Sequence, residues 1–234
     1  MKQILRDLMP PIVDKIITKS GLKSLMSSNH KVYNSYDDAL KQCTNGAYEE
    51  TELVEVILKK TKKFNNKLKT DVIPVWESTS YILLSVVNPI LENGGKQINV
   101  LDFGGACGAH YFHLRSLINS SLKLNWVVVE TPTMVKYAKE LENDELKFFD
   151  NFSEAKSYLG NVDFIHTSGT LQCVDKPKKY LDFILDCNAK WILFSRLGLS
   201  KKDKDVITIH TSKLSWNGIG ELPEGHKDKW VKYP

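Results

Sequence analysis

A short apolar strand that runs into three glycines and then into a helix constrains this chain more than any other feature. Asn99-Val100-Leu101-Asp102-Phe103 is followed by Gly104-Gly105-Ala106-Cys107-Gly108 and then by Ala109-His110. Glycine has no Cβ and tolerates positive φ, so such a turn lets backbone approach a ligand closely. The helix behind it offers free N–H groups to an anionic group. A strand of this kind belongs in an open parallel sheet, where ligands bind beyond the carboxyl ends of the strands.

The rest of the pattern agrees. Short apolar runs at Ile98–Phe103, Asn125–Glu130, Leu146–Phe149, Val162–Thr167 and Trp191–Arg196 predict strands, and His110–Ile118, Thr133–Leu141, Ser153–Tyr158 and Pro177–Cys187 predict the helices between them. Strands without polar alternation that alternate with helices specify an α/β fold, here a Rossmann-like, doubly wound, mostly parallel sheet. Upstream, Met1–Met26 carries Ile4, Leu5, Leu8, Ile12, Val13, Ile16 and Ile17 at helical spacing, broken by Pro10-Pro11. Tyr33–Leu40 predicts a short helix capped by Ser35 or Asp37, Glu49–Phe64 a longer one, and Trp76–Leu91 a buried helix stopped by Asn93-Gly94-Gly95. Residues 1–70 are therefore expected to form an N-terminal helical cap, 71–200 the core, and 201–234 a truncated C-terminal extension. In that extension Val206–His210 has one strand-like alternation and Trp216–Pro223 reads as loop. C-terminal strands are expected to be missing from the sheet, leaving one edge open to pairing with a second copy.

Hydrophobic residues at 42% and charged residues at 26% suit a globular chain. No apolar stretch reaches transmembrane length and no signal-peptide core is present, so the cytoplasm is the expected location. The basic N-terminal segment is expected to pack on the protein, without stable membrane insertion. Lys59, Lys60, Lys62, Lys63, Lys67 and Lys69 crowd the end of one predicted helix, where cations complement the dipole. No stacking aromatics interleave with them, so no nucleic-acid partner is expected, and a net charge of +4 does not decide one. Cys43, Cys107, Cys173 and Cys187 are scattered without a CxxC or His-x-His neighbour, which suggests neither disulfides nor a metal site.

Two cofactor patterns compete for the glycine turn. As Asp-x-Gly-x-Gly-x-Gly it supplies Asp102, Gly104 and Gly108, with Gly105 inside the turn and Ala106 at the middle glycine position. As the dinucleotide Gly-x-Gly-x-x-Gly it supplies only Gly104, with Ala106 and Ala109 as misses. S-adenosylmethionine fits better than NAD. Glu130, ending the second strand, is placed to accept hydrogen bonds from ribose hydroxyls. Asp150 is placed for the adenine amino group, with Phe152 over the ring face and Tyr111 just inside the helix. The fourth strand runs into Thr167-Ser168-Gly169-Thr170-Leu171-Gln172, which puts His166, Ser168 and Gln172 beside the pocket. His166 is the candidate general base, and a structural hydrogen-bonded histidine is the competing reading.

The segments Asp102-Phe103-Gly104-Gly105, Gly108-Ala109-His110-Tyr111, Ser168-Gly169-Thr170-Leu171-Gln172 and Ser195-Arg196, with Tyr36-Asp37-Asp38-Ala39-Leu40 and Pro10-Pro11, resemble a family of methyltransferases found among genes for lipopolysaccharide, capsule and other surface-glycan synthesis. The resemblance implies a methyl donor at Asp102–Gly108 and Glu130 and an acceptor hydroxyl on a nucleotide sugar or glycan precursor. The alternatives are an NAD-dependent sugar oxidoreductase or epimerase, and a catalytically silent binding subunit with the same fold.

Overall fold

A computed structural model describes residues 31–43, 47–199 and 205–234. The expectations for Met1–Met26 lie outside the described residues. Five parallel strands form the sheet: β1 (Gln97–Phe103), β2 (Lys123–Val129), β3 (Leu146–Phe149), β4 (Phe164–Ser168) and β5 (Trp191–Ser195), in the order β3-β2-β1-β4-β5. The helices are α1 (Tyr36–Leu40), α2 (Thr51–Leu68), α3 (Glu77–Glu92), α4 (Ala109–Leu117), α5 (Pro132–Ala138), α6 (Phe152–Leu159) and α7 (Pro177–Asp186). This is the doubly wound Rossmann-like sheet, with its topological switch point between β1 and β4.

Side chains alternate between two cores. Val100, Trp126, Val128, Phe148 and Phe164 face Leu53, Val54, Ile57, Ile82 and Met134 of α2, α3 and α5. Leu101, Phe103, Val127, Val129 and Ile165 face Phe152, Ala155 and Ile184 of α6 and α7. Burial on both faces is why the strands read as continuous apolar runs. Ser35 caps α1 by accepting from Asp38 N–H at 3.1 Å.

Three local expectations change. Helix α3 buries Thr79, Ile82, Val86 and Pro89 but leaves Leu84 73% exposed, so it is roofed on one side only. Lys60, expected among the cations that complement the helix dipole, is 2% exposed, and its ammonium donates to the carbonyls of Ser215 and Asn217 at 2.7 Å each. The C-terminal region, expected to hold one strand-like stretch at Val206–His210 and to add no strand to the sheet, contains β6 (His210–Lys213) and β7 (Trp230–Tyr233), an antiparallel pair separate from the main sheet. The alternation at Val206–His210 makes only a bridge from Ile207 to Tyr33 before β6 starts.

The contacts explain where this pair goes. Tyr233 stacks on Tyr48 with ring centroids 4.4 Å apart, Lys229 pairs with Glu50 and Glu52, and Lys60 holds the connecting loop. A buried ammonium needs such acceptors, so Lys60 ties the C-terminal segment to α2. Among the described residues the outer edge of β5 has no strand partner, as expected. No described helix is long and apolar enough to cross a membrane.

Candidate functional site

The glycine turn closes the carboxyl end of β1 at the switch point, and its conformation is set from below. Gly104 has φ +78° and Gly108 φ +76°. A Cβ on Gly104 would lie 2.0 Å from Thr170 Oγ1, and that hydroxyl donates to the Phe103 carbonyl at 3.1 Å. A Cβ on Gly105 would lie 2.3 Å from Asp102 Oδ2. Thr170, in the loop after β4, is thus a residue of the turn that local sequence could not reveal.

Ala106 adopts φ +49°, the left-handed region that glycine occupies without penalty. The departure from the glycine pattern is therefore a strained alanine, with the turn shape retained. Since a Cβ in this region costs roughly 1–2 kcal/mol, Ala106→Gly is expected to stabilise the chain by about 1 kcal/mol after its added unfolded-state entropy is subtracted. Urea denaturation checks this, and a destabilised variant would show that the alanine packs favourably there.

Asp102 is 1% exposed and does not face the crevice. Its Oδ1 lies 3.0 Å from His166 Nδ1, and its Oδ2 accepts from the Trp126 indole N–H at 3.2 Å. The register makes this possible, since Asp102 is the direct partner of His166 on β4 and Trp126 lies two positions back on β2. Where direct contact with a ligand is expected, the Asp102 carboxylate lies against Gly105 from beneath the turn. His166, also 1% exposed, has its Nε2 buried without a partner among the described residues and its ring edge-on to His110 at 5.1 Å. A general base must reach the proton it removes, and His166 is sealed from the crevice in this geometry.

Asp102, His110 and His166 also bring three potential metal-ligating atoms within 4.8 Å of one another. Both Asp102 oxygens already serve Trp126 and His166, so the cluster is organised as a hydrogen-bonded Asp–His pair. His110 contacts Ser78 Oγ at 3.2 Å, and burial pushes its pKa down to about 4, which keeps it neutral.

Glu130 follows β2 and meets the turn directly. Its Oε1 accepts the Ala106 N–H at 3.0 Å and its Oε2 the Thr131 N–H at 2.9 Å. Burial pushes its pKa up to about 6, against the two backbone donors that hold it down. A carboxylate offers about four acceptor positions, so capacity remains on both oxygens.

The chain is similar to solved O-methyltransferases. An O-methyltransferase from Bacillus cereus, solved in complex with SAH, matches with 16% identity and a TM-score of 0.34 over 67% of this chain and 65% of its own. SAH-bound methyltransferase PaMTH1 from Podospora anserina matches with 13% identity and a TM-score of 0.36 over 73% of this chain and 64% of its own. The chain thus spans less than two thirds of either. No protein-family model matches the chain, and no curated protein sequence does. The fold assignment stands on strand order and register.

The remaining expected residues separate into two groups. Gly104, Gly105, Ala106, Gly108 and Glu130 come together at the turn, and Ser168 lies across the switch point, where it accepts from Arg196 Nε at 2.9 Å. Asp150 is exposed after β3. Tyr111 and Phe152 are not brought to the crevice. The Tyr111 hydroxyl donates to Asn143 and Glu145 ahead of β3, and Phe152 packs against Phe103 and Phe183 in the second core. Tyr111 is held by Asn143 and Glu145, 32 and 34 residues further on, which residue spacing alone does not disclose.

Proposed function

We propose that this chain binds S-adenosylmethionine at the β1 turn and transfers its methyl group to an oxygen nucleophile. One observation carries the reading: the carboxylate ending β2 sits on the glycine turn at the switch point, hydrogen-bonded to Ala106 N–H. Glu130 has free acceptor capacity for a ribose diol, Gly104 and Gly105 let the turn close down on Thr170 and Asp102, and the first N–H groups of α4 suit a carboxylate. Asp150 is open to the adenine amino group. These residues fit the donor.

S-adenosylmethionine brings a methyl group already activated by its sulfonium charge, so the protein's task is alignment and exclusion of water. Asp102, through His166 and Trp126, acts as a positioning residue that holds the turn in shape. The acceptor is proposed to be a hydroxyl of a nucleotide sugar or glycan precursor, a reading supported by the sequence resemblance.

Calorimetry on the full chain with S-adenosylhomocysteine and with NAD tests the donor. S-adenosylhomocysteine should bind, and Glu130→Ala should weaken it by roughly 10- to 100-fold, since hydrogen bonds to a charged group contribute about 1.5–3 kcal/mol. Binding of NAD without S-adenosylhomocysteine would replace this reading with a dinucleotide enzyme. Equal affinity in the folded variant would remove Glu130 from the site.

A further inference from the structure

The end of β5 carries a cation that the donor site does not use. Of the 32 basic residues in the chain, three are arginines: Arg6, Arg115 and Arg196. Arg115 is consumed by structure, donating to Glu145 and to the carbonyls of Leu122, Ile118 and Asn119. Arg196 is different. Its Nε donates to Ser168 Oγ at 2.9 Å and its Nη2 to the Ser168 carbonyl at 3.1 Å, and among the described residues it enters no ion pair. A guanidinium has five N–H groups, so three remain without a partner among the described residues.

The backbone is committed to this placement. Arg196 has φ +52°, a left-handed conformation that a side chain of this size adopts only when its surroundings impose it. Gln172 fixes it there, donating to the Arg196 carbonyl at 3.0 Å and accepting from Gly198 N–H at 3.1 Å. Gly169, with φ +71°, turns beneath the guanidinium, and a Cβ there would lie 3.5 Å from Nη2. Burial is the main cause that holds His110, in the first turn of α4, neutral, and the Arg196 charge adds to it. Two buried polar groups on the same face of β4 and β5, His166 Nε2 and Ser195 Oγ, have no partner among the described residues. The surface at the carboxyl ends of β4 and β5 is therefore cationic at the exposed Arg196, with His166 closed off beneath it.

We propose that Arg196 is an oxyanion anchor for the methyl acceptor, binding a phosphate or carboxylate group across the switch point from the donor turn. Arginine suits this because its planar fork matches two oxygens of one anion, which a lysine ammonium does not. The inference rests on the methyl-transfer reading for the word acceptor, and on the geometry of β4 and β5 for the anion.

The test uses the full chain with and without saturating S-adenosylhomocysteine, titrated calorimetrically with inorganic phosphate, acetate and chloride at matched ionic strength. Phosphate or acetate should bind beyond the chloride response, and the one that binds identifies the class of anion. Arg196→Gln should weaken that binding by about 10-fold or more, the loss expected for a charged hydrogen-bonded pair, with S-adenosylhomocysteine affinity unchanged within about twofold. Arg196→Lys should retain part of it. Ser168→Ala, which unhooks the guanidinium without removing it, should weaken it less and serves if the glutamine variant does not fold. Absence of oxyanion binding to the parent chain, equal binding by folded Arg196→Gln, or displacement of S-adenosylhomocysteine by phosphate would overturn the proposal. If S-adenosylhomocysteine fails to bind the parent chain, the donor reading falls, while the titrations without it still report on Arg196.

Discussion

Asp102→Ala should destabilise the chain by roughly 3 kcal/mol or more, because it strands two buried donors at once. The Trp126 indole N–H and the His166 imidazole both use the Asp102 carboxylate, and Trp126 and His166 are 0% and 1% exposed, so neither has water to replace it. An unsatisfied buried polar group costs about 1–3 kcal/mol. For a domain of this size that corresponds to a fall in melting temperature of about 6–12 °C. Thermal and urea denaturation measure it directly. Asp102→Asn keeps the volume and one acceptor oxygen and should lose distinctly less. Binding separates support from contact: a positioning residue loses stability and donor affinity together, whereas a residue touching the ligand would lose affinity in the asparagine variant with stability intact. That second outcome would return Asp102 to the ligand's surface.

Gly104→Ala should cost about 2–5 kcal/mol, the sum of two separable causes. The first is conformational, because φ +78° penalises any Cβ by roughly 1–2 kcal/mol. The second is steric: the added methyl would lie 2.0 Å from Thr170 Oγ1 and 2.4 Å from its Cγ2, so either the Thr170 bond to Phe103 breaks or the turn shifts. Overpacking of this kind costs about 1–3 kcal/mol. Gly94→Ala isolates the first cause, since Gly94 has φ +66° and nothing within 4 Å of the added atom. Pairing Gly104→Ala with Thr170→Ala isolates the second, and a double-mutant cycle should show favourable coupling, the methyl being less costly once the threonine is gone. If Gly104→Ala costs no more than Gly94→Ala, Thr170 does not buttress the turn and the loop after β4 plays no part in shaping the donor site.

Sequence alone settled the features that depend on neighbours along the chain. The five strands are legible because both faces of the sheet are buried, which removes polar alternation, and the turn is legible because its φ values demand glycine at Gly104 and Gly108. Glu130 follows from its place at the end of β2. Tertiary structure decided whatever depends on register and on distant contacts. That Asp102 lies beneath the turn is fixed by Trp126 and His166, 24 and 64 residues away, brought beside it by parallel pairing. The Lys60 ammonium is buried because carbonyls 155 and 157 residues further on receive it, and the same contact draws β6 and β7 onto α2 and away from the edge of β5. A side chain's type announces what it can bond to. Only the fold, by bringing strands into register and closing some partners off from water, selects which bond is made.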